Sequence, residues 1–385
     1  MSKEVVIKLE QIAECIKQKV KSELKEDFLG LFNGGFGVLL FLSYFAKYKN
    51  SKSLDKLIDV YLERLLEKLG SNIITHTYSS GLSGILYLIK YLDEMQLARI
   101  DLSDAEDMLD GYLSKMLNID ILNKNFDLMH GAIGVGLYFL KKEQYTTVDN
   151  IVNFLYNIAE KEDTIIKWKS TLFFNPPIYN ISLSHGICGI VAFLCKVLEK
   201  NYNEKATEML NGAIMYLSTQ EIDYHKYGSL YPSYSTDEGI TRSRLGWCYG
   251  DLGVGLCFWR ASEVLKNEQL KNKALEIFYK SATRLQDSTV VDTCLCHGTS
   301  GLYMFFKRIY IDLGEEIFKE TADHWLLQTL KYSTYNDGLA GYKTYEAEGW
   351  HNNYSLLSGI TGVGLVFLSY IMNDKQSWDE LFLLS

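Results

Sequence analysis

The stretch Gly359-Ile360-Thr361-Gly362-Val363-Gly364-Leu365-Val366-Phe367-Leu368 contains the pattern that decides the fold. It is a Gly-x-x-Gly step followed at once by an apolar run, and this combination occurs seven times in the 385 residues. The first glycines of the seven steps are Gly34, Gly81, Gly131, Gly186, Gly250, Gly298 and Gly359. A step that recurs at intervals of tens of residues indicates an architecture built from equivalent units.

The apolar runs after the glycines are apolar nearly all round, which is typical of a helix buried on every side. Amphipathic segments lie between them, and the segment from Leu54 to Leu69 repeats its leucines and isoleucine at i, i+3, i+4 and i+7. Ser53 is placed to cap that helix and Gly70 to end it. Each repeat is therefore predicted to contain one buried and one half-exposed helix.

Seven such pairs predict an all-α fold, an α/α toroid of seven inner and seven outer helices. An open solenoid would leave fully apolar helices facing water on its concave side. The chain has only 3 prolines and no Pro-rich or Gly/Ser-rich linker, so no boundary is marked. We therefore expect a single domain over residues 1–385.

Composition excludes several functional classes. The formal charge is −9, from 39 Lys and Arg against 48 Asp and Glu, without a block of like charges. This argues against a nucleic-acid partner or an anionic membrane. Every apolar run is interrupted by charge well before about 18 residues, so no membrane insertion is expected and the chain is interpreted as cytoplasmic. Its 7 scattered cysteines favour reduced thiols or metal ligands over a disulfide framework.

Polar residues are concentrated directly before the first glycine of several repeats. His130, His185, Tyr249 and His297 occupy the position before it, and Cys248 and Cys296 stand one position earlier. In a closed ring these positions would lie at one rim, where the inner helices begin, so residues far apart in sequence would converge there.

Cys248, Cys296 and His297 offer two thiolates and one imidazole, which is the ligand set of a catalytic zinc ion with its fourth position open. Two alternatives remain at this point. Cys294 is a candidate fourth ligand, although it is displaced by two residues from the rim position. The second alternative is that the two cysteines and the histidine are unrelated core residues that bind no metal.

His185 is expected to face the open metal position without binding the metal, as a general acid or base. Asp127 is placed to accept a hydrogen bond from its imidazole and to favour the charged form. Arg244 and Tyr249 flank Cys248 and are candidates for binding an oxyanion or a carbonyl. The alternative for Asp127 and Arg244 is an ordinary surface charge, and for His130 a purely structural role.

With these residues assembled, the chain resembles the lanthionine synthetase C-like family, the LanC cyclases of class I lanthipeptide biosynthesis. Gly246-Trp247-Cys248-Tyr249-Gly250 and Cys296-His297-Gly298 are similar to the two zinc motifs of that family, and Ser184-His185-Gly186 to its catalytic histidine motif. The resemblance covers the whole chain. It implies one zinc ion per chain, held by Cys248, Cys296 and His297, with Asp127, His185, Arg244 and Tyr249 at further active-site positions.

The resemblance also implies the reaction and its partners. A cysteine thiolate of a precursor peptide, made of leader and core, adds to dehydroalanine or dehydrobutyrine and forms lanthionine or methyllanthionine. Nothing in the sequence resembles a dehydration activity, so a lanthipeptide dehydratase is expected as a partner, with an export transporter. Two longer intervals, from Lys167 to Ile181 and from His225 to Arg242, are candidates for gripping the leader or lining the cleft, or are inert loops.

Two other functions would also use a zinc site in an α/α toroid. A LanC-like scaffold would bind zinc and a thiol such as glutathione, or a partner protein, without forming rings. A zinc transferase with an α/α toroid, such as a prenyltransferase subunit, would have six repeats and an Asp among its zinc ligands. The sequence has neither feature.

Overall fold

The computed structural model describes residues 1–22, 29–71, 74–173, 175–235, 239–240, 242–287, 289–373 and 377–385. The chain forms two compact units, one of residues 1–103 and 290–385 and one of residues 104–289. The prediction of a single domain over 1–385 stays a prediction. Among the described residues, no helix is both long and apolar enough to cross a bilayer.

Within the described residues, seven helices are buried along most of their length, and each begins directly after the first glycine of a repeat, as predicted. Glycine, alanine and β-branched residues among their larger apolar side chains let neighbouring helices approach closely. These buried helices are α2 (Gly35–Lys49), α4 (Leu82–Glu94), α6 (Ala132–Lys141), α8 (Ile187–Lys200), α11 (Asp251–Leu265), α13 (Thr299–Leu313) and α15 (Ile360–Met372).

A further seven helices of the described part of the chain bury one stripe only, because their apolar residues recur at helical spacing with polar residues between them. They are α1 (Ser2–Lys21), α3 (Lys52–Ser71), α5 (Glu106–Leu122), α7 (Tyr145–Ile158), α9 (Glu204–Thr219), α12 (Glu268–Ala282) and α14 (Glu316–Lys331). The boundaries predicted for α3 are too narrow. Ser53 lies inside its first turn and Gly70 inside its last.

In the first unit, α1 packs against α15 and α15 against α2, so the first and last repeats are neighbours. A closed arrangement of repeats requires this contact. The buried helices α2 and α13 pack against the amphipathic helices that follow them, α3 and α14. The unit also contains a hairpin of β5 (Thr344–Glu346) and β6 (Gly349–His351) and a 3₁₀ helix over Ser377–Phe382.

In the second unit, α8 packs against both α6 and α11, and each of these three buried helices contacts its amphipathic partner. Short strands lie in the connections between them. β1 (Glu160–Glu162) pairs with β2 (Ile165–Lys167), and β3 (Tyr179–Asn180) pairs with β4 (Tyr234–Ser235). The second pairing joins the two segments that the sequence marks as insertions. A one-turn helix α10 spans Tyr224–Tyr227.

A buried ionic cluster fixes the loop that precedes α11. The Asp251 carboxylate accepts hydrogen bonds from the N–H groups of Leu230 and Tyr231. It also forms an ion pair with Arg284, which forms a second ion pair with Asp287. Burial raises the pKa of Asp251, and the Arg284 guanidinium partly offsets this rise. Because buried charges require such partners, the cluster holds the residues around Leu230 against the start of α11.

Candidate active site

We refer to the six residues before the first glycine of a repeat as its pre-helix turn. In four repeats of the described chain this turn folds back on its own helix, because the N–H of the residue after the glycine donates to the carbonyl of the first turn residue. Ala132 N donates to Asn125 O at 3.1 Å, and Thr299 N donates to Asp292 O at 3.0 Å. The residue just before the glycine is thereby held next to the N-terminus of the buried helix.

The close return of the turn explains why its helix begins at glycine. A Cβ atom on Gly186 would lie 2.1 Å from the carbonyl oxygen of Asn180, far inside van der Waals contact. Gly250 has a φ of +107°, which L side chains rarely adopt, and a Cβ there would lie 2.0 Å from Arg244 O. The first glycine of these steps therefore reflects steric exclusion by the pre-helix turn.

Two side-chain hydrogen bonds lock the turn that carries His185. The side-chain oxygen of Asn180 accepts the N–H of Ser182 at 2.9 Å, and Ser182 Oγ accepts the N–H of His185 at 2.9 Å. Asn and Ser favour such turns because their short side chains satisfy nearby backbone donors. The backbone of His185 is thus fixed independently of its ring.

The imidazole of His185 bonds to a carboxylate from the preceding repeat. Nδ1 lies 2.8 Å from Oδ2 of Asp127, whose side chain is almost fully buried. Oδ1 of the same carboxylate accepts the N–H groups of Met129 and His130, both at 2.8 Å. Asp127 therefore shapes its own turn with one oxygen and orients the His185 ring with the other.

Two further rings surround His185. The His130 ring lies nearly parallel to it with centroids 5.8 Å apart, and Phe173 meets the two rings edge-on at 6.0 and 5.5 Å. Burial lowers the pKa of His130, which the Asp127 charge only partly opposes. Phe173 is 70% exposed at a φ of +65°. Exposure and strain in a large apolar residue are typical of functional positions, yet nothing in the sequence singled out Phe173.

Tyr249 and Cys248 belong to the next pre-helix turn. The Tyr249 hydroxyl accepts a hydrogen bond from Asn180 Nδ2 at 3.2 Å, and burial raises its pKa, so the phenol stays protonated. The carbonyl of the buried Cys248 accepts the N–H of Leu183 at 3.0 Å, which ties this turn to that of His185. Arg244 opens the turn and is exposed.

The other predicted metal ligands, Cys296 and His297, lie in the first unit. The backbone N–H of Cys296 donates to Leu357 O, and Leu357 N donates in turn to Phe32 O, so three pre-helix turns are joined side by side. The sulfur of Cys296 and a ring nitrogen of His297 lie within 4.8 Å of each other. Sulfur and imidazole nitrogen together are donors that zinc accepts readily.

A second group of donors shares His297. Asp292, Cys294 and His297 each offer a ligand atom, and these atoms lie within 4.8 Å of one another. Residue 174 of the first predicted insertion, and residues 236–238 and 241 of the second, lie outside the described residues. The described part of the first insertion contains Phe173, beside His185.

The fold and the site define a class of all-α proteins in which repeated helix pairs present histidine and cysteine before their buried helices. A family model described as "Lanthionine synthetase C-like protein" matches residues 27–383. The chain therefore belongs to the lanthionine synthetase C-like family.

Two comparisons extend over nearly the whole chain. "Nisin biosynthesis protein NisC" of Lactococcus lactis subsp. lactis is 26% identical over 408 residues, covering 97% of this chain and 93% of that protein. The solved structure of "Nisin cyclase" superimposes with a TM-score of 0.78 at 23% identity, covering 97% of this chain and 96% of the other. The structural match confirms the predicted fold class, an α/α toroid. The matched family, described as lanthionine synthetase C-like, agrees with the predicted enzyme class.

Proposed function

We propose that this chain is a zinc-dependent lanthipeptide cyclase that closes thioether rings in a dehydrated precursor peptide. The thiol of a peptide cysteine adds across the double bond of dehydroalanine or dehydrobutyrine, with sulfur bonding to the β-carbon and a proton to the α-carbon. Family membership and the similarity to proteins named for nisin biosynthesis and nisin cyclisation support this reaction class. The observation that carries the proposal is the 2.8 Å bond between His185 and Asp127.

Cys248, Cys296 and His297 are the proposed ligands of one zinc ion per chain. The cysteines occupy the same position of two pre-helix turns, and His297 directly follows one of them. Three protein ligands would leave a bound zinc ion able to accept a substrate sulfur as a further ligand. When bound, zinc lowers the pKa of an incoming thiol and so supplies a thiolate at neutral pH.

His185 is the proposed general acid and base. Its Nδ1–H donates to Asp127, so Nε2 is the nitrogen that takes up and delivers the proton that the α-carbon receives. The Asp127 carboxylate stabilises the charged imidazolium formed in that cycle. The phenol of Tyr249 and the guanidinium of Arg244 are proposed to donate to the substrate carbonyl oxygen, where negative charge develops as the sulfur adds.

The proposed partners follow from the substrate. A dehydrated precursor of leader and core implies a lanthipeptide dehydratase upstream and an export transporter downstream, and cytoplasmic placement. The alternative is a scaffold that binds zinc and a thiol or a partner protein without forming rings. It predicts that incubation with the protein leaves a dehydrated peptide uncyclised.

The test is incubation of the purified zinc-loaded chain with a precursor peptide that carries dehydrated residues and free cysteines. Ring formation leaves the mass unchanged but consumes thiols, so alkylation followed by mass spectrometry counts the remaining ones. We expect His185→Ala to slow ring closure by about 100-fold or more. His324→Ala, which removes a half-buried histidine of the amphipathic helix α14 that packs edge-on against Trp325, is the matched control and should react as the wild type. Ring closure at an unchanged rate in the His185 variant would refute the assignment.

A further inference from the structure

The same side-chain-to-backbone hydrogen bond occurs in the pre-helix turns of four repeats in the described part of the chain. A side chain four residues before the first glycine accepts the N–H of the residue directly before that glycine. The acceptors are Asp127 Oδ1 for His130 N at 2.8 Å, Ser182 Oγ for His185 N at 2.9 Å, Cys294 Sγ for His297 N at 3.4 Å and Ser355 Oγ for Ser358 N at 3.3 Å. Aspartate, serine and cysteine all carry a short side chain that can accept such a bond.

The acceptor is itself held by a second bond. The side chain six residues before the glycine accepts the N–H of the residue at the acceptor position. These pairs are Asn125 with Asp127 N at 3.3 Å, Asn180 with Ser182 N at 2.9 Å, Asp292 with Cys294 N at 3.0 Å and Asn353 with Ser355 N at 2.8 Å. Cys294 thus occupies the same turn position as Ser182 and Ser355, and it makes the same two hydrogen bonds.

Metal binding by the group Asp292, Cys294 and His297 would compete with these bonds. The buried carboxylate of Asp292 already accepts Cys294 N at Oδ1 and Tyr345 N at Oδ2, both at 3.0 Å. The buried sulfur of Cys294 accepts the His297 N–H. Both side chains are therefore used to shape the turn, whereas Cys296 lies two residues on, at the position that Cys248 occupies in its own turn.

We propose that Cys294 is a positioning residue, which holds the backbone of His297 through its sulfur and does not bind the metal. The assignment rests on the proposed zinc site. Residues that orient a metal ligand commonly change metal affinity by about 10- to 100-fold when they are removed. Because the acceptor role does not require sulfur, serine at position 294 should serve as it does at Ser182 and Ser355.

The experiment compares Cys294→Ser, Cys294→Ala and Cys296→Ser by competition for zinc with a chromogenic chelator and by absorption after cobalt substitution. Cys294→Ser should bind zinc nearly as the wild type, and Cys294→Ala about 10- to 100-fold more weakly. The thiolate-to-cobalt charge-transfer band should persist in both position-294 variants and fall by about half in Cys296→Ser, which loses one of two thiolates. Thermal melting records whether each variant is folded.

Three outcomes would overturn the assignment. Loss of charge-transfer intensity in Cys294→Ser would make Cys294 a ligand. An unchanged zinc affinity in Cys294→Ala would mean that its hydrogen bond positions nothing. A wild-type chain that takes up no zinc would overturn the proposed zinc site itself. That failure is seen in the wild type, whereas failure of the Cys294 assignment is seen only in the variants.

Discussion

At the scale of single residues, Asp127 has two separable tasks. One oxygen bonds the backbone of its own turn, and the other bonds the ring of His185, 58 residues further along the chain. Asparagine retains an oxygen for the first task but replaces the second acceptor by an amide donor. The two contributions can therefore be separated by one substitution.

We predict that Asp127→Asn folds normally and closes rings at least about 100-fold more slowly. The amide would donate to Nδ1 and leave the proton on Nε2, and the imidazolium would lose its counter-charge. Thiol alkylation gives the rate, and thermal melting gives the stability. Asp149→Asn, at an exposed carboxylate that accepts a bond from Asn203, is the control. A fast Asp127→Asn variant would mean that the charge of Asp127 is not needed.

At the scale of structural elements, Asp292 connects the pre-helix turn of α13 to the β5–β6 hairpin. Its Oδ2 accepts the N–H of Tyr345, the central residue of β5, at 3.0 Å. The hairpin also contacts the last repeat, because Thr344 Oγ1 donates to Ser358 O. Asparagine stands at the equivalent position of three other turns, Asn125, Asn180 and Asn353, so it is compatible with the turn itself.

We predict that Asp292→Asn keeps the turn but releases the hairpin, because its amide would face the N–H of Tyr345, donor against donor. Loss of this part-buried hydrogen bond should cost about 0.5–1.5 kcal/mol of the free energy of unfolding. Hydrogen exchange at the Tyr345 amide should accelerate. The control, Asp337→Asn, removes an exposed ion pair with Lys343, whose contribution to stability solvent screening keeps small. Equal exchange at Tyr345 in both variants would contradict the prediction.

At the scale of the whole molecule, the proposed zinc ligands come from distant parts of the chain. Binding to the folded state alone should therefore stabilise the fold. At free zinc about 100 times the Kd, the expected gain is about 2.7 kcal/mol. Thermal melts with zinc and with a chelator measure this shift. Cys248→Ala should lose most of it, whereas Cys15→Ala, which removes a thiol of α1 outside the pre-helix turns, should retain it. A full shift in the Cys248 variant would exclude that ligand.

Much of the fold could be predicted because its signal is repeated. Seven glycine steps with apolar runs identified the buried helices, and the similarity to the nisin cyclase structure confirms the toroid class. The ends of α3 were misplaced, since Ser53 and Gly70 are helical and local propensity defines helix ends poorly. The short strands were not predicted. Two-residue strands such as β3 and β4 form only because separate insertions meet.

The sequence alone determined which residues stand directly before the buried helices, because glycine spacing and apolar periodicity are local properties of the chain. Only the tertiary structure decided between the predicted bond to His185 and an ordinary surface charge for Asp127. It alone showed that Phe173 lies against both histidine rings and that Cys294 accepts the N–H of His297. A hydrogen bond requires a donor and an acceptor within about 3 Å and correctly aligned. For residues 58 positions apart, packing of neighbouring helices sets that alignment.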